Sequence, residues 1–320
     1  MKDDRRKVAL IGVGMVGASY AYAMLNQNAC DELVLIDIDE KRAQGEAMDL
    51  MHGLAFAPSS LRVWAGGYEH IRDADIAVLC AGAAQQPGES RLALLRRNVR
   101  VYREIVENIV RSGFCGVLLV AVNPVDVMAR VVQQLSGFAP GRVFGSGTAL
   151  DTGRLRHLLA GYFQVNPRNL HAYVMGEHGD SGFVPWSQAM LATRRLREVC
   201  RQSQGRLRME ALTALEREVR GCAQAIIEAK HATYYGIGLV LCRITRAIFE
   251  DENGVLTLSV RLGALYDGGD IYAGVPCVVH REGIRETIPL ALTEGEKNKM
   301  RRSLRILDEA YRSIEGMLRG

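Results

Sequence analysis

The sequence has no run of apolar residues approaching the roughly 20 that span a bilayer, no CxxC pair among its seven cysteines, no low-complexity tract and no internal repeat of solenoid period. Each absence removes a class. Without a spanning run, no membrane protein is expected. An odd set of scattered cysteines (30, 80, 115, 200, 222, 242, 277) provides neither a disulfide frame nor a zinc site and predicts reduced thiols in the cytoplasm. A charge of one sign is lacking too. The formal +4 over 320 residues is too small to argue for nucleic acid as a partner. The charged start Met1-Lys2-Asp3-Asp4-Arg5-Arg6 leads straight into an apolar strand, so no secretory signal is expected. The densest basic stretch, Arg194-Arg195-Leu196-Arg197 through Arg201, Arg206 and Arg208, lacks interleaved aromatics and reads as a solvated helix face or loop.

What is present begins with a nucleotide-binding pattern. Lys7-Val8-Ala9-Leu10-Ile11 reads as a strand, followed by Gly12-Val13-Gly14-Met15-Val16-Gly17, a helix from Ala18 and a second strand ending at Asp37. This is strand, GxGxxG, helix, strand, acid, with the acid 20 residues after the last glycine. The first glycine makes the turn, the second lets backbone approach a pyrophosphate, and the third lets helix and strand pack closely. The helix N-terminus offers free N–H groups and the positive dipole end to phosphates. Asp37 can accept from the adenosine ribose hydroxyls and repel a 2′-phosphate, which favours NAD over NADP.

Further apolar strands at 75–80 and 116–122, with a helix over 92–110 between them, predict a parallel sheet covered on both faces. Ligands of such sheets lie beyond the carboxyl ends of the strands. Two segments are there. One is the Gly/Pro-bearing loop from Ala81 to Arg91, which can close as a lid. The other is Asn123-Pro124-Val125-Asp126, where Asn123 either hydrogen-bonds a ligand oxygen or merely initiates a turn.

In the second half a helix over 148–162 carries Asp151 and Arg154 on one face. An apolar alternation over 170–175 reads as a strand and delivers Gly176-Glu177-His178-Gly179-Asp180-Ser181. A histidine held at a strand's mouth can give or take a proton near neutral pH. Asp151 can orient that imidazole and Arg154 can grip a carboxylate at two points, although an Asp/Arg pair at this spacing also suits a plain surface ion pair. Arg156 lies roughly 200° round the helix from Arg154 and should look away from the site, and His171 is set back from it. A long amphipathic run over 212–248, interrupted at Gly236 and Gly238, precedes strands at 256–260 and 275–279. A closing helix over 293–318 has Leu304, Leu307 and Tyr311 facing inward.

The motifs AGAAQQPGESR, VNPVDV, GSGTALDTGRLR, GEHGDS and ATYYGI, in this order and over nearly the whole chain, resemble the bacterial L-lactate dehydrogenases of the lactate/malate dehydrogenase family. The resemblance implies a Rossmann doubly wound parallel sheet over 1–146, binding NAD, followed by an α+β substrate domain over 147–320. By resemblance, His178 is the proton donor and acceptor and Asp151 its partner. Arg91 polarises the substrate carbonyl, Arg154 binds the carboxylate, Asn123 assists at the carbonyl and Thr233 lines the pocket. Gly12, Gly14, Met15, Val16, Gly17 and Asp37 hold NAD, with Asn123 and Ile237 against the nicotinamide.

Gln85 bears on the substrate. Malate dehydrogenases of the family carry arginine in that place for a second carboxylate, whereas a neutral Gln suits the methyl of pyruvate. An oxaloacetate carboxylate buried there would lack a charge partner. Relatives activated by fructose 1,6-bisphosphate resemble this chain at Arg156 and His171, which implies a homotetramer with that effector between subunits. Malate or another 2-hydroxy acid is the alternative substrate. A catalytically silent NAD-binding protein is the alternative class, and it would be expected to have lost His178, Arg91 or Asp151. Ala84, Gly153 and the segment Gly182-Phe183-Val184-Pro185 depart from the usual family pattern.

Overall fold

The computed structural model describes residues 5–58, 60–83, 90–203 and 208–318, the side chain of Arg91 excepted. Gln85, the rest of the 84–89 loop and Arg206 therefore lie outside the described residues.

Six strands, β1 (Lys7–Ile11), β2 (Glu32–Ile36), β3 (Arg62–Ala65), β4 (Ile76–Leu79), β5 (Val117–Val120) and β6 (Val143–Gly145), pair in parallel in the order 3-2-1-4-5-6. That is the doubly wound Rossmann order, with its switch point between β1 and β4. Five of these strands (β1, β2, β4, β5 and β6) are buried at every residue, which is why their sequences are apolar runs rather than alternations. The helices covering the sheet include α1 (Met15–Gln27), α2 (Glu40–Gly53), α3 (Arg91–Arg111) and α4 (Val125–Ser136).

The second half opens with α5 (Ala149–Phe163). A small antiparallel sheet follows, made of β7 (Leu170–His171), β8 (Met190–Leu191) and β9 (Arg194–Arg195), and then α6 (Leu196–Gln202), α7 (Met209–Lys230) and α8 (Tyr235–Phe249). Strands β10 (Gly254–Gly263), β11 (Gly269–His280) and β12 (Gly283–Thr287) pair antiparallel and extend the main sheet to nine strands, with Ser259 of β10 opposite Gly145 of β6. The last helix, α9 (Glu294–Glu315), starts with a capping box in which Thr293 and Glu296 satisfy each other's backbone N–H groups. It buries Leu304, Leu307 and Tyr311 as the pattern predicts. Burying a side chain of this size contributes roughly 1.5–3 kcal/mol. Among the described residues no helix is long and apolar enough to cross a membrane.

Three local expectations need correction. The segment before His178 is a strand only at Leu170–His171. Beyond it, Thr152 Oγ1 accepts the N–H of Val174 at 2.9 Å and Thr148 Oγ1 donates to its carbonyl at 2.7 Å. Thr152 of α5 and Thr148, its N-cap residue, thus take the bonds a neighbouring strand would have taken. The amphipathic run breaks at His231, left-handed at φ 68°, and not at Gly236 or Gly238. Those glycines lie inside α8, where a Cβ at Gly238 would sit 2.8 Å from the backbone of Ser19, so the glycine serves close packing on α1. The arginine-rich stretch is neither a single helix face nor a loop: Arg194 and Arg195 form an exposed edge strand, and Arg197 and Arg201 lie in the short α6.

Candidate active site

The glycine turn sits at the carboxyl end of β1. Gly12 has φ +95°, and a Cβ there would collide with the backbone of Ala81; one on Gly17 would collide with the carbonyl oxygen of Gly12. Around Gly14, by contrast, a Cβ meets no protein atom within 4 Å. Helix α1 begins at that point without a side-chain cap and without an acidic residue in its first turn. The first and third glycines are therefore taken up by the protein's own packing, and the second borders free space over uncapped N–H groups. This is the arrangement a pyrophosphate requires. Asp37 Oδ2 accepts the N–H of Val13 at 2.7 Å, so the acid also ties down the turn, and each of its oxygens keeps a lone pair for a ribose hydroxyl. The residues present fit a dinucleotide.

At the other end of the crevice, α5 and the 176–182 turn meet. His178 Nδ1 stands 2.6 Å from Asp151 Oδ2, and Arg154 Nη1 donates to Asp151 Oδ1 at 3.0 Å. These side chains are only 26%, 13% and 12% exposed, in the order His178, Asp151, Arg154. A surface ion pair on one helix is thereby ruled out for Asp151 and Arg154. Burial would by itself raise the pKa of Asp151, yet the His178 hydrogen bond and the two neighbouring cations hold it below the ordinary carboxylate value. Burial likewise works to lower the pKa of His178, but Asp151, with help from the charge of Asp126, shifts it upward on balance.

The turn itself is pinned from several sides. Gly176, at φ +87°, exchanges two backbone bonds with Gly274 of β11, while Ser303 of α9 donates to the carbonyl of Ser181 at 2.9 Å. Its left-handed backbone makes glycine the suitable residue there.

His178, Asp151, Arg154 and Asn123 line one cavity of about 550 Å³, together with Leu94 of α3 and, from α7, Val219 and Arg220. That volume suits a small organic ligand with part of a cofactor. Helix α3 starts at Arg91, one turn before Leu94, but the Arg91 side chain and Gln85 lie outside the described residues. Thr233 lies in the connection between α7 and α8 and is not among the lining residues, whose α7 contribution ends at Ile227. Ile237 packs half-buried against the main core in the first turns of α8. Met15 is exposed on the nucleotide side. Arg156 and His171 stay away from the cavity, as the helix angle predicts: the Arg156 guanidinium donates to the Ala172 carbonyl at 3.1 Å and stacks on Tyr173, and His171 is exposed.

Several contributors were not singled out from the sequence. Asn98, almost fully buried on α3, accepts the N–H of Ala83 and donates to the carbonyl of Asn123, each at 3.0 Å, joining the segment after β4 to the Asn123 turn. Its signal was an asparagine within an apolar helix stripe. Arg220, held by Glu216 of the same helix, donates to the Gly182 carbonyl at 3.2 Å. Asp126 accepts the N–H of His178 at 2.8 Å.

Two family models account for nearly the entire chain. One described as lactate/malate dehydrogenase, NAD binding domain, matches residues 6–145, and one described as lactate/malate dehydrogenase, alpha/beta C-terminal domain, matches 148–316. The chain belongs to the lactate/malate dehydrogenase family. Among its relatives, L-lactate dehydrogenase 2 of Bacillus cereus is 46% identical over 98% of this chain and 100% of its own. The L-lactate dehydrogenase of Geobacillus stearothermophilus is 48% identical over 93% of each. A crystal structure of a lactate dehydrogenase from a Medee basin deep-sea metagenome library superposes with a TM-score of 0.95 at 46% identity, covering 97% of this chain and 99% of that one. Within this family the chain is an NAD-dependent oxidoreductase, with the Rossmann half carrying the glycine turn described above.

Proposed function

We propose that this chain is an L-lactate dehydrogenase that reversibly reduces pyruvate to L-lactate in the cytoplasm. Residues 1–146 bind NAD and residues 147–320 supply the catalytic groups. The observation that carries the reading is the buried chain His178–Asp151–Arg154 on the wall of a single cavity. Arg154 grips the substrate carboxylate with the guanidinium edge that Asp151 leaves free. Asp151 fixes the imidazole tautomer so that Nε2 is turned to the substrate, and it favours the charged ring. His178 then gives its proton to the keto oxygen, and takes it back in the reverse direction. When bound, NADH supplies the hydride. Arg91 polarises the carbonyl and brings its charge in with the lid, while Asn123 assists at the same oxygen and Thr233 borders the substrate. Gly12, Gly14, Met15, Val16, Gly17, Asp37 and Ile237 hold the cofactor.

Pyruvate is favoured over oxaloacetate because Gln85 is neutral, and the relatives named above as L-lactate dehydrogenases support this. We also read the enzyme as a homotetramer activated by fructose 1,6-bisphosphate at Arg156 and His171. The exposed His171 beside Arg156, both away from the cavity, and fully exposed apolar side chains such as Ile38 and Phe56 on the Rossmann half, support this reading. NADH oxidation measured with pyruvate, oxaloacetate and bulkier 2-keto acids, each with and without the sugar bisphosphate, tests both parts. Faster turnover of oxaloacetate would make it a malate dehydrogenase. A pyruvate saturation curve unmoved by the bisphosphate would remove the effector.

A further inference from the structure

Asp126 lies in the first turn of α4, three residues after Asn123, and is only 2% exposed. Its Oδ2 accepts the backbone N–H of His178 at 2.8 Å, across 52 residues of sequence. The other oxygen, Oδ1, has no hydrogen-bond partner among the described residues, although Ser259 of β10 faces it. A buried carboxylate with one oxygen unpaired costs free energy. The flanking parts of the turn are secured elsewhere, at Gly274 and Ser303, and the Asp126 bond is the one that fixes His178's own backbone.

We propose that Asp126 is a second positioning carboxylate for the proton-transfer residue. Through the backbone it sets where the imidazole stands, and through its charge it helps keep that imidazole protonated. This rests on the proton-transfer role proposed above for His178. The charged groups around the ring are Asp151 and Arg154 from α5, Asp126 from α4, and Glu177 from the turn itself. Asp151 meets the side chain and Asp126 meets the main chain, so the two acids hold the same residue by different handles. Burial pushes the Asp126 carboxyl up to about 6, against the pull of Ser259 and His178, so the group gains its charge a little below neutral pH.

The two handles separate by substitution. Asp126→Asn keeps an oxygen for the His178 N–H and removes the charge; Asp126→Ala removes both. In Asp126→Asn the alkaline limb of pyruvate reduction should move down by about one pH unit. NADH affinity should be unchanged, and the gap between the two rate profiles should narrow toward acid pH as Asp126 loses its own charge. In Asp126→Ala the plateau itself should fall about tenfold to a hundredfold, as misplaced catalytic groups do. An alkaline limb in Asp126→Asn that coincides with that of the unaltered enzyme overturns the proposal. The ring-proton NMR titration of His178, assigned by its loss in His178→Asn, gives the same shift without any turnover. If His178→Asn reduces pyruvate normally, the proton-transfer role fails instead, and the NMR titration still decides whether Asp126 tunes the ring.

Discussion

His178 Nδ1 and Asp151 Oδ2 stand 2.6 Å apart although 27 residues separate them in the chain. A contact that short, with both side chains largely withdrawn from water, couples the charge of one to that of the other. The imidazolium is favoured by the carboxylate, so in the role proposed for His178 the proton is available below its raised pKa and is lost as pH rises through it. The pair's contribution to stability has the same upper edge. Its lower edge lies where falling pH protonates Asp151 through its depressed pKa.

Asp151→Asn is therefore expected to cut pyruvate reduction by about 10²- to 10⁴-fold, the usual range when an acid–base residue loses its orienting carboxylate. The alkaline limb should also move to lower pH, because burial of the imidazole is then opposed only by Asp126. A pH–rate profile of the variant checks both. Unchanged turnover would remove Asp151 from the mechanism.

Arg154→Gln should raise the KM for pyruvate strongly, by about 10²-fold or more, which is the cost of leaving a substrate carboxylate without a buried guanidinium. NADH binding should be nearly unaffected, since the glycine turn is formed by other elements. Because Arg154 also bonds Asp151, the pKa of Asp151 should rise modestly in the same variant. Saturation kinetics, with NADH fluorescence titration alongside, separates the two effects. Equal loss of both affinities would contradict the assignment.

Two glycine substitutions should behave oppositely. Gly14→Ala meets no protein atom, so the fold should be retained while NADH binding weakens, because the methyl occupies the space left for the phosphates. Gly17→Ala collides with the Gly12 carbonyl and should destabilise the apoprotein by about 1–3 kcal/mol. Thermal melts with and without NADH distinguish these patterns.

Gly153 lies inside α5 with open space where a Cβ would go. Gly153→Ala should stabilise the chain by about 0.5–1 kcal/mol, by relieving the backbone entropy cost of a helical glycine. The melting temperature should rise by about 2 °C with kinetic constants unchanged. A lower melting temperature would mean that the position is covered by another subunit.

Much of the architecture was legible because its signals are local. Continuous apolar runs marked the parallel strands, GxGxxG marked the turn at the end of β1, and the one-face spacing of Asp151 and Arg154 survived into the structure. What was misread depended on distant partners. The strand expected before His178 stops after two residues because Thr148 and Thr152 reach it from another helix. Gly238 looked like a helix break and is a packing contact with α1. Asn98 and the role of Asp126 are not legible in the sequence, because nothing near them in the chain says what they bind.

By itself the sequence determined which chemistry was possible: a dinucleotide turn with a strand-end acid, and a histidine, a carboxylate and guanidinium groups carried on separate elements. Periodicity and glycine placement encode such features within a few residues of one another. Only the tertiary structure decided that Asp151 faces His178 and Arg154 together on one cavity wall, and that Asp126 holds the histidine's main chain. Those relationships arise when α4 and α5 each bring an acid to one turn, and distances between elements are set by packing rather than by spacing along the chain.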